Sequence, residues 1–142
     1  MITAMVVHVP KKPLRKRRDQ LRTSADHVDA TDDVATVCML LFYAAECGLK
    51  ERLLARGGHA DTSALESTHD LRKLAKELRL PQVVWKHVER LQRCRLHRPQ
   101  RSGTVDTAEL HQAWRYGAKL DATDQKKADA ALRALISWCE RD

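Results

Sequence analysis

At 142 residues, 43% apolar and 32% charged, the chain is long enough to bury one core without disulfides or metals. Only 4% of it is aromatic and the alternating pattern of strands is missing, which excludes an all-β fold and predicts an all-α one. The net charge is +7, no stretch approaches the ~20 apolar residues of a membrane span, and no charge-first leader is present, so a cytoplasmic protein without membrane contact is expected.

Residues 1 to about 13 read as a flexible arm, with Pro10 and Pro13 on either side of Lys11 and Lys12. From Leu14 the chain can turn helical, although its apolar anchors are only Leu14, Leu21 and Val28. Residues 1–28 are therefore expected to be a basic arm able to form a short helix, and residues 29–142 the bundle domain. The next stretch, Asp32 to Arg56, carries Val34, Val37, Cys38, Leu41, Ala45, Leu49 and Leu53 at spacings of three and four. Leu40, Phe42, Ala44 and Cys47 widen that stripe until little polar surface remains. A helix apolar on most sides must be covered by several partners, which makes this the central helix. Thr31 or Asp32 is expected to cap it, and Gly57-Gly58 to end it. Gly48, costly inside a helix, suggests a close approach within the bundle or across a dimer.

A second helix is expected from about Ser63 to Leu80, closed by Pro81. Pro81 also suits the first turn of a third, PQVVWKHVERLQRCRLH, with Val84, Val88 and Leu91 inward. Asp106 and Glu109 resemble a capping box opening a fourth helix, DTAELHQAWRYGAKL. Asp121 and Asp124 start the last, whose stripe is Ala128, Ala131, Leu132, Leu135, Ile136 and Cys139. The predicted architecture is a compact antiparallel bundle of about five helices.

Positive charge is segregated. Lys11, Lys12, Arg15, Lys16, Arg17, Arg18 and Arg22 face one acid in the arm, and Lys86, Arg90, Arg93, Arg95, Arg98 and Arg101 face one acid in the third helix and the loop after it. Segregated Lys and Arg are the footprint of polyanion binding, because each phosphate neutralised releases a counterion. Aromatic residues do not interleave with these cations, so backbone contact is expected rather than stacking or base readout.

Other polar residues read as structural. Glu46 lies on the most apolar turns of the central helix and needs a partner, either Lys50 four residues on or Arg115 from another helix. His69-Asp70 suits a local capping arrangement at a helix start. The cysteines Cys38, Cys47, Cys94 and Cys139 form no zinc-type spacing and read as reduced core residues; Cys94, between Arg93 and Arg95, comes nearest to a reactive thiol. No metal or cofactor is expected.

Two stretches, FYAAECGLKERLLAR and THDLRKLAKELRLP, together resemble the first long helix and the following helix of HEPN domains (higher eukaryotes and prokaryotes nucleotide-binding). The resemblance covers about residues 32 to 81, and Trp114-Arg115-Tyr116 is loosely similar to the family's last helices. It implies a helical bundle that often dimerises. Its members include RNases of toxin–antitoxin and antiviral systems, and non-catalytic proteins that bind nucleotides, nucleic acid or protein partners. The RNase members carry an Arg followed after a short spacing by a His, near the start of a late helix. The late helices here lack that pair. Arg22 with His27, Arg52 with His59 and Arg90 with His97 fit the spacing elsewhere in the chain.

The sequence thus predicts a non-enzymatic protein that binds nucleic-acid backbone, RNA or DNA, beside a larger partner in a prokaryotic defence or toxin–antitoxin setting. The alternatives are a metal-independent RNase using one of the Arg/His pairs, and a protein–protein interaction module.

Overall fold

The computed structural model describes residues 7–28, 33–91, 93–97 and 103–141. Among them the chain is mostly helical, with six α-helices and one two-stranded sheet. The helices are α1 (Lys11–His27), α2 (Val34–Gly57), α3 (Leu71–Leu78), α4 (Gln82–Glu89), α5 (Leu110–Arg115) and α6 (Ala122–Glu140). The strands β1 (Arg93–Arg95) and β2 (Thr104–Asp106) pair antiparallel between α4 and α5. No helix among the described residues is long and apolar enough to cross a membrane.

The central position of α2 follows from its composition. Val37, Leu41, Phe42, Ala44, Ala45, Leu49 and Leu54 point to several sides of the helix and are all buried. The helices α1, α3, α5 and α6 pack against it, while α4 lies on α6 and α3. The expected cap at Thr31 or Asp32 lies outside the described residues; Asp33 fills the role, accepting from Thr36 N at 3.1 Å and from the Thr36 hydroxyl at 2.6 Å. Gly58 ends α2 at φ +64°, in the left-handed region where a side chain would be strained. Gly48 serves close packing within the chain: a β-carbon there would lie 2.9 Å from Cys139 Sγ and 3.1 Å from Arg18 Cδ.

The helix that could start at Leu14 forms and begins three residues earlier, inside the expected arm: α1 runs 17 residues from Lys11 and docks on α2. Leu14, Arg18, Leu21 and Ala25 recur at spacings of three and four and form its buried stripe. The sequence estimate missed Ala25 and the aliphatic stem of Arg18, which complete that stripe. Pro13 does not interrupt the helix because it sits in the first turn, where its missing N–H has no helical acceptor to lose.

The third helix is shorter than expected. It ends at Glu89, and the arginines placed on its far half belong to the hairpin, with Arg93 opposite Asp106, Cys94 opposite Val105 and Arg95 opposite Thr104. Tertiary partners take the backbone groups a helix would have used. Asp124 on α6 accepts from Arg95 N at 2.7 Å, Asp121 N donates to the Arg95 carbonyl at 2.7 Å, and the Thr107 hydroxyl donates to the Leu91 carbonyl. Two other starts also move. Asp70 caps α3 through Arg72 N and Lys73 N, so that helix begins at Leu71, after a single 3-10 turn at Thr62–Ala64. Asp106 makes no side-chain capping bond; its carboxylate faces Arg93 at 3.3 Å, and α5 begins only at Leu110 after another 3-10 turn. The last helix has its expected stripe, and all six of its residues are buried.

Candidate functional site

The expected cationic contacts separate into engaged and available groups. Arg18 is 7% exposed; it donates to the Cys139 carbonyl at 3.0 Å and to Asp19 at 2.8 Å, so it is a structural residue rather than a surface contact. Arg15 binds Glu51 at 2.8 Å, and Arg22 binds Glu140. Arg95 reaches both Asp121 and Asp124 at 3.1 Å. These arginines neutralise acids of the same chain. Lys11, Lys12, Lys16 and Arg17 on α1, with Lys86 on α4 and Arg90 at its end, stand exposed and make no ion pair among the described residues. Arg98 and Arg101 lie outside the described residues.

Among the described residues no hydrogen bond joins Arg22 to His27 or Arg90 to His97. Arg22 is held by Glu140, while His27 Nδ1 donates to the Thr23 carbonyl of its own helix. Arg52 donates to the Cys139 carbonyl at 2.7 Å. Arg90 caps α4 and His97 follows β1, its backbone N–H bonded to the Lys119 carbonyl.

The structure does assemble a different polar constellation, on one face of α2. Tyr43, Glu46 and Lys50 recur there at spacings of three and four, the one polar stripe through the apolar helix. Glu46 accepts from Lys50 Nζ at 2.9 Å and from His69 Nδ1 at 2.9 Å. A carboxylate only accepts, so His69 Nδ1 carries the proton of that bond. The side chain of His69 is 52% exposed. The His111 ring lies against it, centroid to centroid 4.4 Å. Tyr43 links His111 to the surface: its hydroxyl receives from Arg115 and shares a hydrogen bond with His111 Nδ1 at 3.2 Å. The seam thus runs from Lys50 through Glu46, His69, His111 and Tyr43 to Arg115. No family model matches the chain, and neither a curated protein nor a solved structure matches it.

His111 is the member with a displaced proton affinity. Its pKa lies below the ordinary 6.5, first because burial disfavours the imidazolium and then because His69 and Arg115 stand close by; Glu46 and the Ala108 carbonyl pull the other way without prevailing. A histidine whose folded pKa is depressed contributes stability that is complete above its unfolded pKa and is lost as pH falls through the folded one. Thermal unfolding between pH 7 and 5 is therefore expected to show a falling midpoint, and His111→Asn should flatten that slope. An equal slope in the variant would assign the effect to another group.

The four cysteines are free thiols, and Cys38, Cys94 and Cys139 are buried. Cys94 loses its claim to reactivity: burial pushes its thiol up to about 11 despite its arginine neighbours in sequence. Among the described residues no three His, Cys, Asp or Glu side chains are grouped to hold a metal ion.

Sequence inspection found Glu46, Lys50 and His69 but assigned them to the scaffold, and it missed Tyr43 and His111 as their partners. The spacing of Tyr43, Glu46 and Lys50 was the available signal. His111 offered none, because only the tertiary fold sets α5 against the loop before α3.

Proposed function

We propose that the chain is a HEPN-like, non-enzymatic protein that binds the phosphate backbone of a nucleic acid through the first half of α1. One observation carries this reading. Lys11, Lys12, Lys16 and Arg17 crowd the start of a helix that has no acid in its first turn and no side-chain cap. The positive end of a helix dipole disfavours cations, so folding stability does not account for them there. Phosphate oxygens would satisfy both the lysines and the first-turn N–H groups. The HEPN likeness is supported by the Glu46–His69 bond, which joins the two stretches that carry the resemblance.

Binding to labelled RNA and DNA oligonucleotides tests the proposal. Affinity is expected to fall by about two orders of magnitude or more between roughly 50 and 200 mM salt. The double variant K12E/K16E should lose at least about tenfold, because two phosphate contacts become repulsive. Salt-insensitive binding, or equal affinity in the variant, would overturn the reading.

The polar seam favours a second reading, metal-independent cleavage of RNA. His69, half exposed and oriented by Glu46, would accept the proton of a substrate hydroxyl, and Arg115 would offer a cation for the phosphate. RNA recovered from the same mixtures distinguishes the two. Shortening that disappears in His69→Ala supports cleavage, and intact RNA excludes it.

A further inference from the structure

A cleft of about 630 Å³ opens between the first turn of α2, the turn after α5 and the first turns of α6. Trp114 and Leu120 close its floor and Val34 forms an exposed apolar wall. The polar atoms at the floor are already matched: Trp114 Nε1 donates to Gln125 Oε1 at 3.3 Å, and Gln125 Nε2 reaches Cys38 Sγ at 2.8 Å. An occupant of this floor must therefore be apolar.

The rim has the opposite character. His97, Lys119 and Lys126 stand exposed there and make no ion pair among the described residues. The acid on the rim, Asp33, is committed to Thr36 through both oxygens. The first turns of α2 and α6 line the same space, each capped by an aspartate, Asp33 and Asp121. A volume in the range of small-molecule sites, an apolar floor and two exposed lysines that make no ion pair among the described residues define a ligand class.

We propose that this cleft binds a small amphipathic organic anion, its flat apolar body against Val34 and Leu120 and its sulfonate, carboxylate or phosphate between Lys119 and Lys126. The site lies apart from α1, so the proposal stands or falls independently of nucleic-acid binding.

Anilinonaphthalene sulfonate, which joins a fused apolar ring system to one sulfonate, is the probe. Added to the full chain in its native state, as judged by near-ultraviolet circular dichroism, it should brighten to a one-to-one plateau. The variant K119E/K126E should weaken binding at least about tenfold at low salt, since two attractive contacts become repulsive. Val34→Glu offers a second check. Its new acid suits the first turn of α2 and so spares folding, yet it places a charge against the ligand body and should weaken binding as much. Lys76→Glu, an exposed residue of α3 outside the cleft, should leave dye binding unchanged. Unsaturable binding, or unchanged affinity in the natively folded V34E and K119E/K126E proteins, would overturn the proposal.

Discussion

Gly48→Leu is expected to cost about 3 kcal/mol of folding stability, measured as a lower urea midpoint at unchanged slope. The helix α2 meets Arg18 of α1 and Cys139 of α6 at this residue, and the tightest approach to a β-carbon there is 2.9 Å. Alanine is the sharper comparison. Propensity alone would make Gly48→Ala stabilising by about 1 kcal/mol. Overpacking between two docked helices costs about 1–3 kcal/mol, so the net effect should be a loss. Cys139→Ala removes the sulfur from that contact, and the two substitutions together should cost less than their sum. A stabilised G48A protein would show that the three helices have room to move apart.

The second large effect is expected at Arg52. Glu51 is 1% exposed, with Arg15 on one oxygen at 2.8 Å and Arg52 Nε at 3.8 Å from the other. Arg52 also donates to the carbonyls of Cys139 and Arg141 and lies over the Trp138 ring. Arg52→Met should therefore cost about 3 kcal/mol, because it leaves a buried carboxylate under-compensated and frees the end of α6. Replacing both members, E51M/R52M, should recover part of that loss, since two apolar side chains avoid the desolvation of an ion pair. The cycle of single and double variants reads the coupling directly. Strict additivity would mean that Arg52 acts through the carbonyls alone.

The helical character of the chain, the central place of α2 and the buried stripe of α6 were legible in the sequence because they rest on local periodicity. The hairpin was not. Nothing in Arg93-Cys94-Arg95 opposes helix; its backbone is drawn away by Asp121 and Asp124, which lie 26 or more residues later. The same distance hid the fate of the charges. A run of arginines looks like a binding face until the acids that meet it are placed, and Arg15, Arg22, Arg93 and Arg95 all find theirs in other elements. Lys11, Lys12 and Lys16 of α1 stand exposed and make no ion pair among the described residues. The candidate seam was half legible for a related reason: α2 displays its share as a periodic stripe, whereas His69 and His111 join it only through loop geometry.

Arg18 finds its carbonyl partner 121 residues further along the chain, and Arg52 finds the same carbonyl 87 residues on. Contacts of such long separation form only after most loop-closure entropy has been overcome. Removing the clasp of α1 over the end of α6, as in Arg18→Met, is therefore expected to shorten the life of the folded state more than it slows folding, read from the unfolding and refolding arms of the denaturant dependence.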